Sequence, residues 1–349
     1  MEIIQFTENQ SPKTEEIKAN KELKHKAVAL LSGGLDSTIA TRLIQDMGVD
    51  ITALNFHTVF CTCTHKGCKF ESRQVANEFA LPLKIMSVTK EFMDVVRKPK
   101  YGYGSAMNPC IDCRIFTFRK AKEYMEEIDA SFVITGEILG QRPMSQTNRS
   151  MALIEKESGL EGRILRPLSV NKSKGLASDI QNMIDLDSLP NITGRSRKMQ
   201  YELAEKLNIE NFSCPSGGCL LTEKEFSRKL KDYFDHSQEN DINQLKLLKT
   251  GRHFRISPEA KVIVCRDEKE NQKLAHYKHA GTLMEPEEKG PSALLVGSEA
   301  SMTDFEIAGR IMGRYCKGNE IHINCSGRDK TFKLDVKPFV DEESKKYLI

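Results

Sequence analysis

No stretch of the 349-residue chain approaches the ~20 uninterrupted apolar residues that a membrane-spanning helix needs. The N-terminal segment MEIIQFTENQSPKTEEIKANKELKHK lacks the apolar core of a secretion signal. Together these absences imply a soluble, cytoplasmic protein without a membrane partner. An excess of charge of one sign is missing too: 52 Lys and Arg against 49 Asp and Glu leave a formal +3. Any nucleic-acid contact must therefore come from local clusters rather than a global field. There is no fixed-period repeat and no low-complexity tract. With 39% hydrophobic and 29% charged residues, a coiled coil, a collagen-like chain and a disordered tail are excluded. The length instead suits two domains with ordinary cores, at ~100 to 200 residues each.

Residues 1–26 are polar without sustained periodicity and read as an extension. From Ala27 the pattern alternates. Ala27 to Leu31 reads as a buried strand, and Ile39, Ala40, Leu43, Ile44 and Met47 share a helical face ended by Gly48. Ile51 to Phe56 and Leu83 to Val88 read as strands around a helix from Phe70 to Ala80, and a long helix, Cys113 to Ile128, precedes the strand Ser131 to Thr135. Strands alternating with helices predict an α/β, doubly wound parallel sheet. Segments from Lys174 to Met183 and Ser196 to Leu207 read as helices, and short strands at His253 to Ile256, Val262 to Cys265, Ala293 to Val296 and Glu320 to Ile323 predict a smaller α+β module. The expected division is an extension (1–26), a nucleotide domain (27–235) with a helical adaptor from about 170, and a C-terminal module (236–349).

Ser32-Gly33-Gly34-Leu35-Asp36-Ser37 joins an apolar strand to an amphipathic helix. Paired glycines let backbone amides turn toward one point, the helix adds unpaired N–H groups and its positive end, and two serines add hydroxyls. The product is an anion cradle. Asp36 would repel a bare phosphate, so it either caps the helix or holds a Mg²⁺ that bridges phosphate oxygens. This hexapeptide resembles the signature of the PP-loop ATP pyrophosphatases, which split ATP between its α and β phosphates to adenylate a substrate. It lacks the Gly-Lys-Ser/Thr ending of a γ-phosphate-transferring loop.

Gly136-Glu137-Ile138-Leu139-Gly140-Gln141 follows a strand, placing a glycine-rich turn at the carboxyl edge of the sheet, where ligands of open α/β sheets sit. With Ser145-Gln146-Thr147 and Leu165-Arg166-Pro167-Leu168 it is similar to the catalytic domain of tRNA 4-thiouridine synthetases, over roughly Val28 to Leu168. The resemblance implies that Gly136, Gln141, Ser145 and Gln146 line the nucleotide or substrate pocket. Those synthetases carry an RNA-capturing module before the PP-loop domain. Met1 to Lys26 is too short to be one, which leaves RNA capture to the C-terminal part.

Ten cysteines in a reducing compartment point to metal or thiol chemistry rather than disulfides. Cys265, Cys316 and Cys325 are isolated and read as small buried residues. Cys110-Ile111-Asp112-Cys113 stands just before a long helix, whose N-terminus favours thiolates, and the spacing serves zinc, redox or cluster chemistry. Cys214-Pro215-Ser216-Gly217-Gly218-Cys219 is the other turn able to bring a thiol to a cofactor. The set is similar to that of cluster-dependent tRNA thiolation enzymes, which implies a [4Fe–4S] cluster on Cys110, Cys113 and Cys219 (Cys214 the substitute) whose open iron delivers hydrosulfide. Persulfide transfer on the same residues competes. Cys61, Cys63 and Cys68, with His57 and His65, offer a zinc set, against which stands a plain active-site loop.

Gly194-Arg195-Ser196-Arg197-Lys198 and the run Lys246 to Arg255, with Phe254 interleaved, are the densest cationic stretches and candidates for RNA phosphates and bases. Cys219 through Phe254 resembles the RNA-binding module of NFACT-type proteins. The expectation is an ATP- and Mg²⁺-dependent tRNA sulfurtransferase in which Asp36, Cys110, Cys113 and Cys219 act, and Ser32 to Ser37 hold ATP. Its partners are tRNA and a sulfur donor, sulfide or a cysteine desulfurase, with a homodimer left open. Sulfur insertion into a small molecule and a non-catalytic RNA-binding factor are the alternatives.

Overall fold

A computed structural model describes residues 25–61, 68–172, 175–212, 218–297, 299–327 and 331–349. Cys63, His65, Cys68 and Cys214 lie outside the described side chains, as does the N-terminal extension through residue 24. The chain divides into two compact units after Thr222.

The first unit runs β1 (Lys26–Leu30), α1 (Leu35–Gln45), β2 (Asp50–His57), α2 (Cys68–Glu78), β3 (Leu83–Ser87), α3 (Thr89–Arg97), α4 (Cys110–Glu127), β4 (Phe132–Ile134), α5 (Asn148–Ser158), β5 (Ile164–Leu165), α6 (Ser178–Gln181) and α7 (Lys198–Lys206). Its strands form one parallel sheet in the order β3-β2-β1-β4-β5. Successive strand residues face opposite sides, so both faces must be covered. Ala27, Ala29, Ile51, Ala53, Phe132 and Ile134 pack on α1 and α2 through Leu35, Ile39, Ile44 and Val75. Val28, Leu54 and Val133 pack instead on α4 and α5 through Ile115, Phe118, Ala121 and Ile154. This is the doubly wound sheet expected from the alternation of strands and helices. The strand order reverses between β1 and β4, and a crevice for ligands opens where the chain leaves those two strands.

The second unit contains α8 (Lys224–His236), α9 (Ile242–Leu247), β6 (Arg252–Arg255), β7 (Lys261–Val264), α10 (Glu268–Ala275), β8 (Thr282–Pro286), β9 (Ala293–Val296), α11 (Met302–Gly313), β10 (Ile321–Ser326), β11 (Thr331–Val336) and α12 (Asp341–Lys345). Its six strands pair antiparallel in the order β11-β10-β8-β9-β7-β6. One face packs on α11 through Ala308, Ile311 and Met312. α11 starts with a capping box between Ser301 and Asp304. α8 falls in this unit, although the sequence reading placed it with the adaptor. The helix expected from Lys174 to Met183 shrinks to the single turn α6.

Candidate active site

The chain leaves β1 at Leu30 and turns through Ser32 to Ser37 into α1. The two serines hold the turn. The Ser37 hydroxyl donates to Gly34 O at 2.9 Å and lies 3.0 Å from Ser32 Oγ, which accepts from Gly34 N at 3.3 Å. Gly33 has φ +79°, and a Cβ there would sit 2.8 Å from the backbone of α2 at Glu71 and Ser72, so no other residue fits. The N-cap of α1 is Gly34, without a side-chain cap. Asp36 therefore does not cap the helix, one of the two roles expected of it. Its Oδ2 accepts from Gln141 Nε2 at 3.1 Å, and its Oδ1 is buried without a partner.

The turn after β4 presses against this cradle. A Cβ on Gly136 would lie 2.5 Å from the Asp36 carbonyl carbon and 2.6 Å from Ser37 N, so only glycine lets the two backbones meet. Thr147 caps α5, its side chain accepting from Ser150 N. That fixes the Ser145-Gln146-Thr147 segment beside the turn, where Gly140 N donates to Gln146 O at 2.7 Å.

A cavity of about 330 Å³ opens over these elements. Ser32, Asp36, Ser37, Gly136, Gln141 and Gln146 line it on one side, and Leu54, Phe56, Phe60, Val88, Phe92 and Phe116 give it an apolar side. Gly33, Gly34, Leu35 and Ser145 of the expected set are not in its lining; Leu35 and Ser145 are buried instead. Three acceptors on the lining are buried and unpartnered: Asp36 Oδ1, Asn55 Oδ1 and Gln146 Oε1. Buried acceptors left without donors are costly. A nucleotide's amino and hydroxyl groups and a Mg²⁺ at Asp36 are the partners such a set fits.

Thiols reach the same cavity. Cys113, from the first turn of α4, and Cys219 both line it, and so does Cys61, which the sequence reading gave either to a zinc set or to an active-site loop. Cys110 stands outside the lining and accepts from Asn108 Nδ2 at 3.2 Å. Burial pushes the Cys113 thiol up to about 11 and the Cys219 thiol up to about 12. In each case the other cysteines of the group add to the rise, while Arg114 opposes it at Cys113. The all-sulfur donor set suits a soft metal centre. Among the described residues, though, no three His, Cys, Asp or Glu side chains are gathered closely enough to hold a single metal ion.

Behind the cavity lies a buried ion-pair chain that sequence reasoning missed. Arg114 Nε is 3.1 Å from Glu137 Oε1, Arg166 Nε donates to Glu137 Oε2 at 3.2 Å, and Arg166 also pairs with Glu155 of α5. The Glu137 and Arg166 side chains are each 1% exposed. The visible signal was in the motifs themselves: Arg114 follows the C-x-x-C, Glu137 follows Gly136, and Arg166 sits in Leu165-Arg166-Pro167-Leu168. The chain of charges ties the start of the thiol-bearing helix to the turn that abuts the cradle.

Parts of the chain resemble known proteins. Residues 23–184 match the family model described as thiamine biosynthesis protein (ThiI), and residues 251–348 match the NFACT protein RNA binding domain. The tRNA-specific 2-thiouridylase MnmA of Listeria innocua is 24% identical over 243 residues, covering 65% of this chain and 61% of that protein. The MnmA of Petrotoga mobilis is 23% identical over 250 residues, covering 65% and 64%. The chain thus spans less than two thirds of the length of these relatives. Among solved structures, a 4-thiouridine synthetase–RNA complex with bound ATP is 27% identical, covers 53% of this chain and 52% of its own, and has a TM-score of 0.35. The U34-tRNA thiolase NcsA from Methanococcus maripaludis with its [4Fe-4S] cluster is 16% identical, covers 65% and 72%, and has a TM-score of 0.32. The chain thus carries a segment similar to the ThiI family model, residues 23–184, ahead of one similar to the NFACT protein RNA binding domain, residues 251–348.

Proposed function

We propose that the protein is an ATP-dependent tRNA sulfurtransferase that adenylates a uridine carbonyl and replaces its oxygen with sulfur. One observation carries the reading: the thiols of Cys113, Cys219 and Cys61 line the same cavity as Asp36 and Gln141 of the phosphate cradle. A carbonyl oxygen is a poor leaving group and AMP a good one, so adenylation must precede sulfur attack at the same carbon. The uridine oxygen attacks the α-phosphorus, pyrophosphate leaves, a sulfur nucleophile adds to the activated carbon, and AMP departs.

In this scheme the cradle amides and the start of α1 hold the polyphosphate. Asp36, fixed by Gln141, offers its unpartnered Oδ1 to Mg²⁺. The apolar wall of Phe56, Phe60 and Phe92 takes the base. Cys110, Cys113 and Cys219 are the residues that would hold a [4Fe–4S] cluster, which when bound supplies an iron site open to hydrosulfide. Persulfide transfer performs the same displacement, and the fourth thiol, Cys61, favours it, since a cluster with one open iron takes three protein ligands. The second unit, with its match to an RNA-binding domain, supplies the hold on tRNA.

The test is thionucleoside analysis of tRNA from a deletion strain, combined with AMP release by the purified protein. Loss of one thiouridine, with AMP formation stimulated by tRNA, is expected. An unchanged profile overturns the proposal. ATP-to-AMP turnover indifferent to RNA selects a small-molecule substrate, and RNA binding without AMP formation, unaffected by Asp36→Ala, selects a non-catalytic factor. Iron and sulfide analysis after anaerobic purification separates cluster from persulfide.

A further inference from the structure

Cys61 and Cys219 face each other across an isolated antiparallel bridge. The hydrogen bond that closes it runs from Leu220 N to Phe60 O at 2.9 Å. It joins the residue after Cys219 to the residue before Cys61, so the two cysteines occupy the non-hydrogen-bonded position of the pair. In that position opposed Cα atoms lie about 4.5 Å apart and the side chains emerge closest together. A disulfide spans Cα separations of about 4.4 to 6.8 Å. No other bridge or strand pairing among the described residues sets two cysteines opposite each other. Cys219 is exposed as a residue while its sulfur is desolvated, Cys61 is half-buried, and both line the cavity, through which a small oxidant reaches them.

We propose that Cys61 and Cys219 form a reversible disulfide, a redox modification site at the rim of the nucleotide cavity. The oxidant is a low-molecular-weight disulfide. One thiolate of the pair attacks a sulfur of that disulfide and expels one small thiolate, leaving a mixed disulfide. The second protein thiolate attacks the sulfur of its neighbour, the mixed S–S bond breaks, and the second small thiolate leaves. Two protein thiols are oxidised by two electrons while one small disulfide is reduced to two thiols, and excess small thiol reverses both steps. The folded register already holds the two positions opposite each other, which favours closure of the ring over persistence of the mixed disulfide. Closure removes Cys219 from sulfur delivery, a consequence that rests on the function proposed above. The pairing itself rests only on the register.

The full-length protein is equilibrated in glutathione buffers of stepped reduced-to-oxidised ratio, quenched in acid, alkylated and mapped by fragment-ion mass spectrometry. The expected product is a Cys61–Cys219 cross-link that appears cooperatively and is reversed by reduced glutathione. Cys61→Ser should abolish it and leave Cys219 as a glutathione adduct, whereas Cys63→Ser and Cys214→Ser should leave it intact. The proposal is overturned by cross-links that join Cys219 to Cys110 or Cys113 instead, by a link that survives Cys61→Ser, or by glutathione adducts on both residues without a link. AMP formation, measured in parallel on reduced protein, distinguishes failure of this site from failure of the sulfurtransferase reading: a cross-link without any AMP formation overturns only the latter.

Discussion

Replacing Arg166 by Met tests whether the buried ion-pair chain holds the nucleotide site together. Arg166 and Glu137 are each 1% exposed, while Arg114 and Glu155 are 29% and 22% exposed. In Arg166→Met, Glu155 regains water at little cost, but Glu137 stays buried with one partly exposed guanidinium. Breaking a buried pair from one side costs about 3 to 5 kcal/mol. Because Arg114 remains, the lower figure, about 3 kcal/mol, is the expected loss. For a unit of this size that corresponds to a melting temperature lower by on the order of 10 °C. Scanning calorimetry should place the loss in the first unit's transition. Glu137→Gln should also destabilise, by about 2 to 3 kcal/mol, because it leaves Arg166 buried with Glu155 alone. The double replacement should cost at least about 1 kcal/mol less than the sum of the two, as expected for residues in contact. A loss below about 1 kcal/mol for Arg166→Met, the range of exposed pairs, would refute the reasoning.

Two further outcomes follow from the geometry. Gly136→Ala forces a Cβ to 2.5 Å from the Asp36 backbone, so ATP affinity measured by calorimetric titration should fall at least about tenfold, a change of ~1.4 kcal/mol; unaltered affinity would show that the two turns can part freely. In the second unit, burial lowers the Lys261 ammonium to about 8, with Asp232 at 3.7 Å opposing the shift. The unfolded lysine keeps its proton up to about 10.4, so between those values the unfolded chain binds more protons. Stability of this unit should therefore rise with pH from about 8 to about 10, by at most ~1.4 kcal/mol per pH unit for this one group. Urea unfolding at stepped pH reads the slope, and Lys261→Met should flatten it.

The parallel sheet was legible because β1 to β4 are apolar runs set off by glycine turns and amphipathic helices. β5, only Ile164–Leu165, is too short to leave a pattern. α3 buries Phe92, Met93 and Val96 at helical spacing, yet follows β3 so closely that its start is masked. In β11 most positions are exposed or half-buried, and an outer strand with one dry face shows little contrast. The cradle could be read because its chemistry is contiguous in sequence. The place of Cys61 could not, since it is set by pairing with Cys219 far along the chain. For Glu137 and Arg166 the letters stood in quoted motifs, but their mutual pairing is a fact of three dimensions. The boundary at Thr222 was also hidden, because α8 buries Phe226, Leu230 and Tyr233 in a pattern that fits either neighbour.

The crossover from β3 to β4 has a consequence of its own. It must pass over β2 and β1 to reach its place, and it carries α4 on the side of the sheet opposite α1. The glycine cradle at the start of α1 and the Cys110 and Cys113 thiols at the start of α4 thus come from opposite storeys of the molecule. What still couples the two storeys is the ion-pair chain from Arg114 through Glu137 to Arg166, so changes within residues 98–109 that spare Arg114 leave that tie in place.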